Sequence, residues 1–106
     1  MALYRLIKKR YADARHEYSP TWLGNQRFDI YVPSLRIAIE YNGLQHYQPI
    51  ELFGGDEGFR EMKKRDERKK RVAHENGVTV YIWPYTRTIG EKEVDRFITG
   101  LQDVAD

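Results

Sequence analysis

The segment "FDIYVPSLRIAIEYN" constrains the fold of this chain more than any other. Apolar and other residues alternate in two runs, "RFDIYVP" and "LRIAIEYN", and Pro33 ends the first of them. Because side chains alternate between the two faces of a strand, both runs predict strands, and the "PSL" between them predicts an antiparallel hairpin. The predicted apolar faces hold Phe28, Ile30 and Val32 in the first strand and Ile37, Ile39 and Tyr41 in the second, opposite Asp29, Tyr31, Ala38, Glu40 and Asn42.

The remaining pattern predicts a small mixed sheet flanked by helices. Apolar residues close to a 3.6-residue period predict helices over residues 2–12 and 91–101. "GGDEG" opens a long helix that runs to about His74, and Gly77 is its expected left-handed stop. "RHEYS" predicts the first strand, and the almost continuously apolar "VTVYIW" predicts a fourth strand at the centre of the sheet. The last helix is expected to turn inward Val94, Phe97, Ile98 and Leu101. The order α-β-β-β-α-β-α belongs to the α/β (α+β) class.

Length and composition limit the kind of protein. The 106 residues suffice for one domain, residues 1–106, and 41% hydrophobic with 32% charged residues is a globular composition. The sequence contains no cysteine, which excludes disulfides, thiolate zinc sites and cysteine nucleophiles and is compatible with a reducing cytoplasm. No apolar run approaches the length of a membrane span, and the N-terminus lacks a signal-peptide core. We therefore expect a cytoplasmic protein without a membrane partner.

Positive charge is concentrated in one stretch. The net charge is only +2, yet "REMKKRDERKKR", residues 60–71, has eight basic and three acidic side chains. The rest of the chain holds ten basic and thirteen acidic residues and is therefore negative. Such a stripe favours a polyanionic partner such as nucleic acid, although a solvated helix face has the same composition.

Asp29 and Glu40 are the first candidates for a site. If the two central strands form the predicted hairpin, these carboxylates converge near one end of the sheet. Paired carboxylates repel each other unless a cation lies between them, and oxygen ligands without cysteine favour Mg²⁺ or Mn²⁺. The alternative is that both are ordinary solvent-facing residues, but aspartate is disfavoured in strands.

Asp66 and His46 extend this set. Asp66 falls between Phe59, Met62 and Ala73 on the predicted inward face of the long helix, so it needs either a basic partner or a site. Lys63 and Lys70 flank the same face. His46, beside Gln45, is either polar loop surface or a group that orients or activates water.

These residues also resemble a known family. Asp29, a ten-residue gap and then Glu40-Tyr41-Asn42 is similar to the signature of the PD-(D/E)xK nuclease superfamily, in the form D…ExN, and the predicted order of elements is similar to its restriction endonuclease-like core. The longer string from "FDIY" through "IEYNGLQHY" and "FGG" to "RDERKK" resembles the branch related to very short patch repair and phage homing endonucleases. The resemblance covers most of residues 16–83.

The resemblance implies roles for individual residues. Asp29 and Glu40 correspond to the metal-binding carboxylates, with Mg²⁺ or Mn²⁺ as cofactor. His46 resembles the histidine that this branch uses near the metal, Asp66 its helix-borne acid, and Glu17 the glutamate that many members carry near the first helix and strand.

Asn42 departs from the family pattern. It stands where the superfamily usually has lysine, and an asparagine can neither donate a proton nor stabilise charge as an ammonium does. Activity then depends on His46 or a nearby lysine. Asn42-Gly43 is also a strong hairpin signal, so Asn42 is alternatively only a turn residue.

Three functions follow as hypotheses. The first is a metal-dependent endonuclease acting on DNA, in which His46 positions or deprotonates water and Asn42 or Gln45 hydrogen-bonds it. Backbone phosphates are then bound by Lys63, Lys64, Arg65 and Lys70. The second is a DNA-binding module that kept the fold and lost turnover, and the third is an adaptor for an acidic protein. No base-reading motif is evident, which favours either a homodimer or a fused or partner specificity domain.

Overall fold

The computed structural model describes residues 1–104 and contains three helices and a four-stranded sheet. The helices are α1 (Ala2–Arg10), α2 (Gly55–Glu75) and α3 (Glu91–Val104), and the strands are β1 (Arg15–Tyr18), β2 (Phe28–Val32), β3 (Ile37–Asn42) and β4 (Thr79–Pro84). This order and the small mixed sheet confirm the predicted α+β class. No helix within these residues is both long and apolar enough to cross a membrane.

The sheet has the strand order β1-β2-β3-β4. β2 pairs antiparallel with β1 and with β3, which confirms the predicted hairpin, while β4 runs parallel to β3. β4 therefore lies at an edge, and its predicted central position was wrong. The strand has an apolar sequence because residues of both faces pack in a core: Trp83 packs in one core and Val80 against the other, while Ile82 is 43% exposed. The hydrophobic pattern of a strand indicates which of its faces pack against other elements. It does not indicate whether the strand has a neighbour on both sides in the sheet.

Two hydrophobic cores lie on opposite faces of the sheet. α1 and α3 cover one face, where Leu3 and Ile7 meet Trp83. The expected inward residues of α3 are confirmed there, because Val94 and Ile98 are buried and Phe97 and Leu101 pack against them. α2 covers the other face through Ala73. The polar face of the hairpin therefore faces α2.

Phe28 departs from the predicted alternation. Ile30 and Val32 pack in the first core, but Phe28 packs in the second core, with its ring stacked 5.9 Å from that of Tyr31. The regular pairing of β2 changes at the intervening Asp29, whose backbone N–H donates to a side chain of β3. The side chains of β2 thus alternate regularly between Ile30 and Val32, and the alternation changes at Asp29.

The ends of α2 depend on two glycines. A Cβ added at Gly58 would lie 2.0 Å from the carbonyl oxygen of Phe53, so only glycine allows the chain to enter the helix at this angle. Gly77, with φ of 75°, follows the helix in the left-handed region, as predicted. The "GGDEG" and "ENG" segments therefore bound the long helix as predicted.

Asn42 is the last residue of β3 and pairs with Pro84 of β4. The next residue, Gly43, has φ of −75° and leads into a 3₁₀ turn, Leu44–His46. A two-residue hairpin at Asn42-Gly43 requires positive φ, so that alternative is wrong. The turn carries the chain from the sheet toward α2, where it places His46.

Candidate functional site

Asp29 and Glu40 are joined by reciprocal hydrogen bonds between β2 and β3. The register pairs Ile30 with Ile39, and its continuation sets Asp29 opposite Glu40. The backbone N–H of Asp29 donates to Oε2 of Glu40 at 2.8 Å, and the backbone N–H of Tyr41 donates to Oδ2 of Asp29 at 2.8 Å. Each carboxylate thereby uses one oxygen to orient itself on the opposite strand. The sequence prediction that the two carboxylates converge is confirmed.

Lys69 of α2 supplies the positive charge that this pair requires. Its ammonium forms an ion pair with Oε1 of Glu40, where the lysine side chain is 19% and the glutamate side chain 9% exposed. Glu40 is the buried charged residue of the described chain. Removing one partner of such a buried pair typically costs about 3–5 kcal/mol, because the remaining charge is left uncompensated.

The donor set is compatible with a hard divalent cation. Among the described residues no group of three or more histidine, cysteine, aspartate or glutamate side chains is arranged to hold a metal ion. Mg²⁺, however, is commonly bound by one or two carboxylates and keeps several of its waters. Asp29 and Glu40 fit that mode, and the ammonium of Lys69 shows that a cation is accommodated beside Glu40.

Burial sets the protonation of Glu40. Loss of solvent raises the pKa of the Glu40 carboxyl to about 7, and the nearby charge of Asp29 adds to the rise. The ammonium of Lys69 and its hydrogen bond act in the opposite direction. Near neutral pH this carboxyl is therefore protonated in a substantial fraction of the molecules, and a divalent cation would compete with that proton.

We expect this shift to make the fold less stable as pH rises. Below pH 4.5 the Glu40 carboxyl is protonated in both states, and toward pH 7 only the unfolded state loses the proton. The free energy of unfolding of the wild type should thus fall by about 3 kcal/mol relative to Glu40→Gln over this window. Urea denaturation of both proteins at several pH values measures the difference. Parallel stability curves would contradict the assignment.

His46 and Asp66 form a second pair. Nδ1 of His46 lies 2.9 Å from Oδ2 of Asp66, and the histidine side chain is 19% exposed. Because a carboxylate accepts hydrogen bonds, the proton of the neutral ring belongs on Nδ1 and the lone pair on Nε2. Asp66 is thus paired with His46 and not with a flanking lysine or arginine.

Two cavities meet along α2. The first, the loop cavity, has a volume of about 410 Å³ and is bordered by His46, Gln45 and Arg65. The second, the strand cavity, has a volume of about 250 Å³ and is bordered by Glu40 and Asn42. Asp66 and Lys69, one helical turn apart, border both of them. The two cavities together form a recess between the sheet and α2 that Glu40, His46 and Asp66 border, whereas Asp29 borders neither cavity.

The other predicted catalytic residues are placed differently. Asn42 lies on the same face of β3 as Glu40 and borders the strand cavity. Gln45 borders the loop cavity, and its amide folds over Gly43, where an added Cβ would lie 2.6 Å from Oε1. Glu17 is exposed and has a left-handed φ of 49°; it lies between His16 and Tyr18, which pair with the residues on either side of Asp29. Such backbone strain in a residue other than glycine is more frequent at functional sites than elsewhere.

The four predicted phosphate-binding residues are divided among the strand cavity, the loop cavity and the outer face of α2. Lys63 and Lys70 border the strand cavity and Arg65 borders the loop cavity. Lys63 also lies over the ring of Phe59, at 5.3 Å from its centroid. Lys64 borders neither cavity and instead pairs with Glu61 at 3.4 Å on the outer face of the helix. Three of the four residues thus surround the recess.

Lys69 was not singled out from the sequence. On a helical wheel it lies about 60° from Asp66 on one side, as Lys63 does on the other, so periodicity alone does not separate the two. What distinguishes Lys69 is the buried carboxylate opposite it, because Glu40 comes from a strand 29 residues away along the chain. That contact depends on tertiary structure.

The chain is similar to viral proteins. It is 35% identical over 89 residues to uncharacterized protein 094L of Frog virus 3 (isolate Goorha), which covers 80% of this chain and 57% of that protein. It is 44% identical over 63 residues to uncharacterized protein 307L of Invertebrate iridescent virus 6, covering 58% of this chain and 32% of that protein. Protein 033L of Invertebrate iridescent virus 3, also uncharacterized, is 38% identical over 69 residues, or 64% and 36% of the two chains.

The chain thus spans between about a third and somewhat over half of the length of these relatives. No protein-family model matches the chain. No solved structure matches it either.

Proposed function

We propose that this chain is a metal-dependent endonuclease of the PD-(D/E)xK kind that hydrolyses DNA phosphodiester bonds. The observation that carries the proposal is the reciprocal placement of Asp29 and Glu40 at the end of two adjacent strands. A buried carboxylate beside a second carboxylate costs stability, and groups perturbed in this way are concentrated at functional sites. The His46–Asp66 pair across the recess supports the same reading.

Asp29 and Glu40 are the residues that would hold Mg²⁺ or Mn²⁺. When bound there, the cation would supply the Lewis acid that polarises the scissile phosphate and acidifies a water. Asp66 orients the ring of His46 through Nδ1, which leaves Nε2 to accept a proton from the attacking water. The water oxygen bonds to phosphorus, the bond to the leaving sugar oxygen breaks, and that oxygen takes a proton from solvent.

Basic residues around the recess suit a nucleic acid backbone. Lys63, Arg65 and Lys70 are exposed and border the two cavities, which are also lined by Glu40, His46 and Asp66. Contacts of this kind fix the position of a duplex without reading its sequence. One recess cuts one strand, so a double-strand break requires a second copy or a second encounter.

A second function is favoured by one specific contact. Lys69 neutralises Glu40 within the chain itself, and Asn42 replaces the usual lysine. A DNA-binding module without turnover would keep such a self-compensated site. Its affinity for DNA would then be indifferent to Mg²⁺, and a Glu40→Gln variant would bind DNA as the wild type does.

One pair of measurements on the wild type separates the two functions. Nicking of supercoiled plasmid is followed with Mg²⁺, with Mn²⁺ and with EDTA, while calorimetry follows cation binding in the same buffers. The nuclease requires both cation binding and nicking that EDTA stops. Absence of both, in a protein that still shifts labelled DNA on a gel, would favour the module and overturn the nuclease.

A further inference from the structure

Lys69 differs from every other basic residue of the positive stripe. The other seven lysines and arginines of residues 60–71 are exposed, whereas Lys69 is partly buried and turned toward the sheet. For comparison, the side chains of Lys64 and Arg71 are 73% and 66% exposed. Burying a lysine side chain sacrifices rotamer freedom and hydration, so a specific contact must hold it in place.

That contact leads into the site. The ammonium of Lys69 lies on Oε1 of Glu40, the oxygen that the backbone of Asp29 does not use. Lys69 also borders the strand cavity together with Asn42, two residues beyond Glu40 on the same face of β3. The helix therefore delivers an ammonium into the same space that the amide of Asn42 faces.

We infer that Lys69 is a catalytic residue that stabilises the charge on the scissile phosphate, from a helix rather than from the strand position occupied by Asn42. This inference rests on the proposed nuclease function and extends it to a residue outside the D…ExN segment. In the resting protein the ammonium occupies Oε1 of Glu40. With DNA in the recess, the ammonium would move to a non-bridging phosphate oxygen.

Two effects of opposite sign are expected for Lys69→Met. Plasmid nicking should fall by about 10²–10³-fold, the usual loss when one charge-stabilising donor is removed. Binding of Mn²⁺, measured by calorimetry at pH 8, should tighten by about tenfold, because the ammonium no longer competes for Glu40. The tighter metal binding tests the competition for Glu40, and the loss of nicking tests the catalytic role. Lys92→Met removes one exposed lysine from α3 and should change neither quantity.

The decisive variant moves the lysine within the strand cavity. Asn42→Lys in the Lys69→Met background should recover at least tenfold of the lost nicking, since the ammonium returns to the same space. Circular dichroism and thermal unfolding establish that each variant is folded.

Wild-type nicking by Lys69→Met would overturn the assignment of Lys69 and leave the nuclease standing. A folded double variant no faster than Lys69→Met would do the same. Absence of nicking by the wild type would instead overturn the nuclease itself.

Discussion

Asp29→Asn and Glu40→Gln should each reduce DNA nicking at least a thousandfold while the protein stays folded. Either change removes one of the two charges that would hold the cation, and loss of several kcal/mol of charge stabilisation corresponds to a factor of this size. Each amide keeps an oxygen that can accept the backbone N–H of the opposite strand, so the hairpin is preserved. Plasmid nicking and Mn²⁺ calorimetry on the same samples measure the result.

The matched control neutralises a carboxylate elsewhere. Glu75→Gln alters an exposed glutamate in the last turn of α2, paired with Arg71 at 3.9 Å, and should nick as the wild type does. If both site variants kept the wild-type rate in a preparation free of contaminating nuclease, Asp29 and Glu40 would not be the metal ligands.

His46→Ala should lower the nicking rate by about 10²–10⁴-fold, the usual contribution of a positioned proton acceptor. Asp66→Asn should cost less, about tenfold, because it leaves the imidazole in place and removes only the carboxylate that orients it through Nδ1. Rates at saturating Mg²⁺ and DNA measure both variants, so that the effect on turnover is separated from binding.

The control for this prediction is His74→Ala. His74 is exposed in the last turn of α2, and its loss should leave the rate unchanged. Equal losses for His46→Ala and Asp66→Asn would contradict the division of roles, and an unchanged rate in His46→Ala would remove His46 from the site.

Local signals predicted most of the fold. Period-two alternation located β2 and β3, and the glycine-containing segments at either end located the bounds of α2. The errors occurred where tertiary structure decides. The apolar sequence of β4 reflects packing on both faces, so it did not reveal an edge strand. Phe28 lies on the other face than predicted. Next to it, the backbone N–H of Asp29 donates to the side chain of Glu40 and not to a backbone carbonyl, and the regular alternation changes there.

The candidate site was predictable in its carboxylates and less so in the residues that pair with them. Asp29 and Glu40 follow from strand alternation plus one hairpin, which is short-range information. The approach of His46 to Asp66 depends on a 3₁₀ turn that the sequence analysis did not predict. Predicting that Lys69 and not Lys63 contacts Glu40 requires the rotation of α2 about its own axis relative to the sheet. That rotation is set by the packing of the whole helix face.

The reciprocal hydrogen bonds of Asp29 and Glu40 also favour the native register of the hairpin over shifted registers. A slip of one residue turns the apolar face outward and is rejected by hydrophobic burial. A slip of two residues keeps every side chain on its face, yet it sets Asp29 opposite Ala38, where no carboxylate receives the backbone N–H of Asp29. The carboxylates thus distinguish the native register from one shifted by two residues, which hydrophobic burial does not distinguish. In a shifted register, Asp29 and Glu40 would not lie opposite each other, and the candidate site would not form.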